Sequence, residues 1–544
     1  MSENLELKCG DPSAKPATYT RFILPFSYCP ITNKSNEPED YYPEDYYEEE
    51  TELENIERRK KYLTYETADV LFNRARWFKF KSKKHIHPLL IPFKSHITNK
   101  IINIYIKPPT LVLFEYPEER KFCDKCKVKN DDFCQVDEHN ILRIGFLIVE
   151  TYFSDINDSP NIDDLLEFNE IFRYWQPYYK EHKREMQDRN IPIRFGSDET
   201  VNESCNSTDL YFERWSDLLD KPIKYRNRYL GIIPHKWKNE ARDYISDKNS
   251  KSPGWAFYSD NRTFVWTCAI TEHGGDILRR YFAMPDAKPW DFGHWIKLLN
   301  VDRPGKDFCE THKSTNFEKQ WAEERTYKRW EEWGTFYGFN YQSGAMLGPP
   351  MNDPPLWQHF QQMYFDQTLL LLYIRVATFR FCMELNKISG SAIDKGLRDN
   401  PKWRDKFQQI RWSFALFTNL YQFPSFSNQQ QSIEMYYIAR KYMDIDDLFR
   451  ETKEEIDNCH EYLVASENID YSKRMEYLNR IATIGLVISI AISFWGMNIL
   501  IDDISKGLCI KQKWFWVIVP PIIVIIIIWL YIKIKKLIKF WRHR

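Results

Sequence analysis

Short runs of β-branched and aromatic residues, broken by turn residues, dominate the first three hundred positions of the chain. The run Ile101–Ile106 (IINIYI) and those at 110–116 (TLVLFEY), 141–152 (ILRIGFLIVETY), 229–233 (YLGII) and 263–270 (TFVWTCAI) predict strands, because such side chains pack well on a pleated surface. A helix-period segment at 162–186 lies between them. Together they predict an α/β domain over 65–310. From 311 to 425 the period becomes helical: 317–337 is charged and Trp-rich, 355–389 contains TLLLLYIRVA, and 401–421 stops before Pro424. The apolar run that holds Arg375 is about ten residues long, too short to span a bilayer, and predicts core.

A longer pattern begins at Ser427 or Asn428, either of which can cap a helix. Ile438, Tyr442, Ile445, Phe449, Thr452, Ile456, Cys459 and Leu463 recur at alternating spacings of four and three, the period of a packing seam. With no proline before Ile501, this predicts one helix of roughly 110 Å, whose 426–480 part is a stalk. A second seam, Met475, Leu478, Ala482, Gly485, Ser489, Ile492 and Gly496, is turned by about 120° from the first. The first seam is expected to face the α/β domain and neighbouring stalks, the second an axis shared by several copies.

Charge then disappears. Residues 481–501 carry none, 502–513 form a short charged loop, 514–532 (WFWVIVPPIIVIIIIWLYI) are again uncharged, and 533–544 are basic. Crossing ~30 Å of hydrocarbon takes ~20 apolar residues in a helix, so the two runs predict a transmembrane helical hairpin. Lys473, Arg474 and Arg480 before it and the Lys/Arg-rich tail after it predict cytoplasmic N- and C-termini.

Composition narrows the classes. Across 544 residues the formal net charge is -1, which offers no basic field for nucleic acid. Mean hydropathy is -0.57, as for a largely water-exposed protein with a membrane appendix. Eleven scattered cysteines make a poor disulfide framework and suit a reduced cytosolic setting. The first residues lack a signal-peptide core, and Glu3, Glu6 and Asp11 argue against a mitochondrial presequence, leaving the plasma membrane or an endomembrane. Within 1–64, the acidic, Tyr-rich stretch 36–61 predicts partial disorder, either a solvated tail or a regulatory segment for a metal or partner.

Gly496-Met497-Asn498 stands where the first uncharged run ends. This end of the chain resembles the CorA-type magnesium channel family, whose signature is Gly-Met-Asn at that position, followed by a second helix and a lysine-rich tail, here Lys533, Lys535, Lys536 and Lys539. The close likeness covers about the last seventy residues, and the preceding helical region is similar in layout alone. The resemblance implies a homopentamer in membrane lipid, with first helices around an axis and second helices outside. Mg²⁺ holds its water tightly, and a ring of Asn498 carboxamides would bind the hydrated ion without stripping it. Gly496 would allow the close turn and Met497 would pack behind it. Met475, Leu478, Ala482, Leu486, Ser489 and Ser493 would line the path, and Asp502 and Asp503 would gather cations at the mouth. Asp444, Asp446 and Asp447 would hold a regulatory Mg²⁺. Each position has a plainer alternative: Asn498 as a helix cap, Ser489 and Ser493 as packing residues, the aspartates as a solvated face. The chain departs from the family pattern at Ile499, where an aromatic residue is common, and in a loop with two Asp against three Lys.

Cys123, Cys126, Cys134 and His139, in CDKCKVKNDDFCQVDEH, have a spacing that could hold Zn²⁺ or could sit in an ordinary hairpin. Neither a phosphate-binding loop nor a nucleophile or metalloprotease motif occurs, and an enzyme is not expected. The expected architecture is an α/β cytosolic domain, a helical region, a long stalk helix and a two-helix transmembrane hairpin, assembled as a homopentamer. The expected function is passage of divalent cations. The rival is a membrane-anchored sensor or interaction protein on the same scaffold.

Overall fold

In YTRFILPFS, Phe22, Leu24 and Phe26 alternate with Arg21, Ile23 and Pro25, so a strand here has one face that is apolar from Phe22 onward and one bearing a charge. The computed structural model describes residues 5–27, 29–30, 47–50, 56–80, 89–114, 143–154, 159–174, 223–225, 228–231, 262–284, 293–304, 315–395, 401–423 and 425–496. It makes this stretch strand β1 (Tyr19–Ser27). β1 pairs antiparallel along its full length with β8 (Ile144–Phe153), and on its other edge with β11 (Phe264–Ile270).

The sheet extends both ways from this centre. Its further strands are β3 (Tyr47–Glu49), β4 (Ala75–Phe80), β5 (Leu89–Lys94), β6 (Ile101–Ile106), β7 (Thr110–Phe114), β12 (Thr326–Tyr327), β13 (Phe336–Asn340) and β14 (Ser343–Gly348). The order is β12-β13-β14-β11-β1-β8-β7-β4-β3. Strand β6 joins the far end of β8, and β5 joins β6. β11 and β14 run parallel. A separate small sheet holds β2 (Cys29–Pro30), β10 (Arg228–Gly231) and β9 (Ile223–Tyr225).

Helices cover both faces. The helices are α1 (Ile56–Tyr62), α2 (Tyr65–Asp69), α3 (Ile162–Phe172), α4 (Gly274–Ala283), α5 (Gly293–Asn300), α6 (Thr315–Arg325), α7 (Leu356–Gln361), α8 (Met363–Lys395), α9 (Pro401–Tyr421), α10 (Gln430–Tyr442) and α11 (Ile445–Gly496). Phe22, Leu24 and Phe26 join one core with Leu165, Phe168 and Phe172 of α3, Leu278 of α4 and Trp295 of α5. On the other face the Trp266 ring of β11 stacks on Phe360 of α7 at 3.9 Å, and Phe114 of β7 stacks on Tyr373 of α8 at 4.3 Å. A sheet buried on both faces loses the polar alternation of a half-exposed one, and β11 and β14 are buried at every position. One close approach requires glycine: a Cβ on Gly275 would lie 1.8 Å from the Gly334 carbonyl oxygen, and Gly334 itself has φ +62°.

The apolar run around Arg375 is core, as expected, and lies within α8. α9 has the expected bounds. Its Phe414 and Phe417 receive Phe449 of α11, and Thr452 of α11 meets Cys382 of α8. The lower seam holds from Ile445 onward, where Ile445, Thr452 and Ile456 are buried, but not before it: Ile438 and Tyr442 are half-buried, and α10 turns Met435, Tyr436 and Ala439 inward instead. Over these turns it packs against helices rather than the sheet.

Several expectations need correction. The helix expected over 317–337 gives way after Arg325 to β12, a 3-10 turn (Glu331–Trp333) and β13, so the sheet crosses the expected boundary at 310. β1 lies at the sheet's centre although 1–64 was expected to be a loosely packed segment; the acidic core of that segment, 31–46, lies outside the described residues. The expected single helix from 427 is two, α10 and α11, separated at Asp444 with φ 59°. Residues two apart on a helix point about 200° from each other. The break lets both Met443 and Ile445 be fully buried.

The expected two-helix transmembrane hairpin is also corrected. Among the described residues no helix is long and apolar enough to cross a membrane. The uncharged part of α11 runs from Ile481 to Gly496, about 24 Å at 1.5 Å per residue, short of a ~30 Å core. The second run, 514–532, lies outside the described residues. By contacts the chain divides into two units, 1–456 and 457–544.

Arg59 of α1 is buried against Asp366 of α8, its Nε donating to Oδ2 at 2.7 Å and a second guanidinium nitrogen to Oδ1. Cutting one partner of such a pair leaves a buried charge, at a cost of about 3–5 kcal/mol, whereas replacing both by apolar groups can be neutral. Arg59→Met is expected to lower the unfolding free energy by about that amount, and Arg59→Met with Asp366→Leu to recover most of it, read by denaturant titration.

Candidate functional site

The upper part of α11 is an uninterrupted helix in which apolar residues recur faster than one face can hold. At 100° per residue, Met475, Leu478, Ala482, Leu486, Ser489, Ser493 and Gly496 fall within an arc of about 80°. All of these for which exposure is described are exposed, Leu478 at 56% and Leu486 at 62%. Lys473, Arg474, Glu476 and Arg480 fall outside that arc. Arg480 pairs with Glu476, and Lys473 approaches Asp470 at 3.8 Å, so the nearby charges partly satisfy one another along the helix. The remaining sides are apolar too: Ile481, Ile484, Ile488 and Ile490 are each about half exposed. A helix that is hydrophobic all round is normally covered.

The stripe thus brings the expected lining residues together in one line, with two hydroxyls near its end. A Cβ built on Gly485 meets nothing within 4 Å, so packing within the chain does not require glycine there. Met497, Asn498, Asp502 and Asp503 lie outside the described residues, as do Cys123, Cys126, Cys134 and His139.

The aspartates at the α10–α11 break do not converge. Asp446 pairs with Arg440 and Asp447 with Arg450 at 2.6 Å. Desolvation first, then repulsion from Asp447 and Glu451, holds the Asp444 carboxyl above the usual carboxylate range. Among the described residues no group of three or more His, Cys, Asp or Glu is placed to hold a metal ion. A regulatory Mg²⁺ here would have to displace two ion pairs.

A charged cluster that the sequence did not announce crosses the centre of the sheet. Arg21 of β1 donates through Nε to Glu150 of β8 at 2.6 Å, and Lys107 bridges Glu150 at 2.8 Å and Asp11 at 3.0 Å. The Arg21 guanidinium lies 4.3 Å from the Phe365 ring centroid. A lone charge inside each of two apolar strand runs, RFILPF and GFLIVETY, was the available signal: such charges are rarely buried unless paired. Burial alone would raise Glu150, but Arg21 and Lys107 hold its carboxyl below the usual range. Both charges are committed to each other, so the cluster is structural and offers no free acid or base.

The sign of its pH dependence follows. A carboxyl lowered in the fold stabilises above its unfolded value, near 4.5, and that stabilisation fades as pH falls through the folded value. Glu150→Gln is expected to be less stable than the parent at neutral pH, with the gap closing below about pH 4.5. Denaturant midpoints of the two proteins across that range check this. No family model, curated relative or solved structure matches the chain.

Proposed function

We propose that the chain is a CorA-type divalent cation transport protein working as a homo-oligomer, five copies by resemblance. One observation carries this: a continuous helix places Met475, Leu478, Ala482, Leu486, Ser489, Ser493 and Gly496 in a single charge-free line that ends at Gly496-Met497-Asn498. Copies arranged with that line inward would surround a path with apolar constrictions low down and hydroxyls above. The apolar constrictions could gate by dewetting, and the hydroxyls could hydrogen-bond ion-bound water. The charged residues of the same turns would remain on the outside.

Asn498 is assigned the hydrated cation at the end of that line. A neutral carboxamide offers an oxygen to the water shell without the tight grip of a carboxylate, so the ion can leave as well as enter. Mg²⁺ is the cargo the resemblance names. The passage is assigned to the C-terminal sequence with its uncharged runs, and no membrane-crossing helix is assigned to the described residues. The N-terminal unit is assigned to the cytoplasmic side, from the charges flanking those runs.

Mg²⁺ uptake into transport-deficient cells tests the assignment. The parent is expected to restore uptake and Asn498→Ala to lose most of it at equal expression, because the ring that receives the hydrated ion is removed. A parent that is well expressed and moves no ion overturns transport and favours the sensor reading. Met475→Cys, Ala482→Cys and Ser489→Cys are expected to crosslink between copies, and failure of all three removes the shared axis.

A further inference from the structure

Helix α1 is held to the helical face of the sheet by side chains of opposite kinds. Arg59 is anchored on Asp366, as described above. One residue earlier, Arg58 donates to Gln358 Oε1 at 3.2 Å and lies 3.2 Å from His359 Nε2, both on α7. Tyr62, at the end of α1, places its ring 5.5 Å from the His359 ring, which also meets Tyr364 of α8 edge-on at 6.3 Å. The last residues of α1 then reach the entry to α10. Ser427 donates to the Tyr62 carbonyl, Thr64 N–H donates to Phe426 O at 3.1 Å, and Asn428 donates to Leu63 O at 3.4 Å. The seating of α1 on α7 is therefore joined directly to the start of the helix pair α10–α11.

We propose that α1 is an acid-released latch whose catch is the neutral His359 ring. A guanidinium has donors and no acceptor, so the contact with Arg58 requires a lone pair on Nε2. A protonated imidazole has donors on both nitrogens, and it would face Arg58 as a like charge. The causes that act on the ring are burial and Arg58, with no carboxylate among them, and Asp366, the carboxylate that α1 engages, is held through both oxygens by Arg59. Burial first, and then the neighbouring Tyr62 and Tyr327, push the Tyr364 hydroxyl well above its usual range against the pull of the cationic Arg329, so Tyr364 brings no negative charge to the ring. Protonation therefore breaks the only hydrogen bond Arg58 can make to the ring and adds repulsion, loosening α1 and the 426–428 strap together.

Burial first, and then Arg58, lowers His359 to about 4 from its usual 6.5. The docked form thus resists protonation while the released form accepts it. Between those two values stability of the docked state falls as pH falls, because the open state binds more protons. From about pH 7.5 to about pH 5 the population of the open latch should rise about thirtyfold.

Amide hydrogen exchange on the full-length chain, corrected for intrinsic rates, tests this. In the parent, exchange of the 56–64 backbone is expected to rise about thirtyfold over that interval, and in His359→Gln, which keeps an acceptor for Arg58, less than about threefold. An equal rise in both proteins, or none in the parent, overturns the latch. Should His359→Gln loosen α1 at every pH, the His359 ring proton resonance of the parent decides: a midpoint near 4 supports the latch, and one at or above 6.5 overturns it.

Discussion

The pairing of β1 between β8 and β11 is the constraint on which the remaining architecture depends. Nine consecutive residues of β1 meet β8, and five of them also meet β11. This brings the beginning of the chain into the middle of a sheet whose other strands come from as far along as residue 348. Because helices cover both faces, the Arg21 side chain keeps only 15% of its surface exposed. It must find Glu150 on the neighbouring strand, and Lys107 and Asp11 complete the balance. Removing two charges from water without pairing would cost several kcal/mol per ion, so the register is fixed by electrostatics on one face and by Phe22, Leu24 and Phe26 on the other. A slip of one residue would exchange those faces.

The helices follow from the same geometry. α7 and α8 cap the charged face, and α8 then offers its outer side to α9 and the first turns of α11 through Phe381, Phe414, Phe417 and Phe449. At Asp444 the chain adopts a left-handed conformation that a short polar residue tolerates better than a branched one. The penalty is about 1 kcal/mol or somewhat more, and burying Met443 and Ile445 fully returns a larger amount.

Periodicity served well where one face is buried and the other wet. β6, α9, and the seam through Phe449, Thr452 and Ile456 could be read in the sequence because inward positions recur at a fixed interval. Where both faces are buried the period disappears, and β7, β8 and β11 could be read only as runs of β-branched and aromatic residues; where the side chains are small as well, that signal goes too. β14, SGAMLG, has no alternation at all, and Gly344 is small because the Trp266 ring occupies the place of a Cβ. β1 carries Pro25 and Arg21 and sits just before an acidic stretch, so local composition pointed away from a strand that only distant partners could form. The break at Asp444 has neither Gly nor Pro to announce it. As for the candidate site, the common face of Met475 to Gly496 was legible from spacing, since it needs only a continuous helix. The aspartates at 444, 446 and 447 were expected to hold a cation on the strength of the resemblance, but Asp446 and Asp447 are taken as ion-pair partners by Arg440 and Arg450.

Magnitudes decide how the upper part of α11 should be understood. Ile481, Ile484, Leu486, Ile488 and Ile490 each remain about half exposed or more. Full burial of such a side chain is worth about 1.5–3 kcal/mol, so roughly 4–8 kcal/mol of apolar burial goes unrealised over three turns. That is comparable with the whole net stability of an ordinary domain, about 5–15 kcal/mol. An isolated surface isoleucine needs no explanation, but a helix with apolar residues on every side over these turns does. Two different covers meet the geometry better than one. The charge-free line leaves room for close approach of another surface at Ala482, Ser489 and Ser493, which are small, while the bulkier isoleucines leave apolar area on the other sides of the helix. A helix built merely to pack against its own domain would need one such face, as the lower seam of α11 has, and would carry its charges opposite.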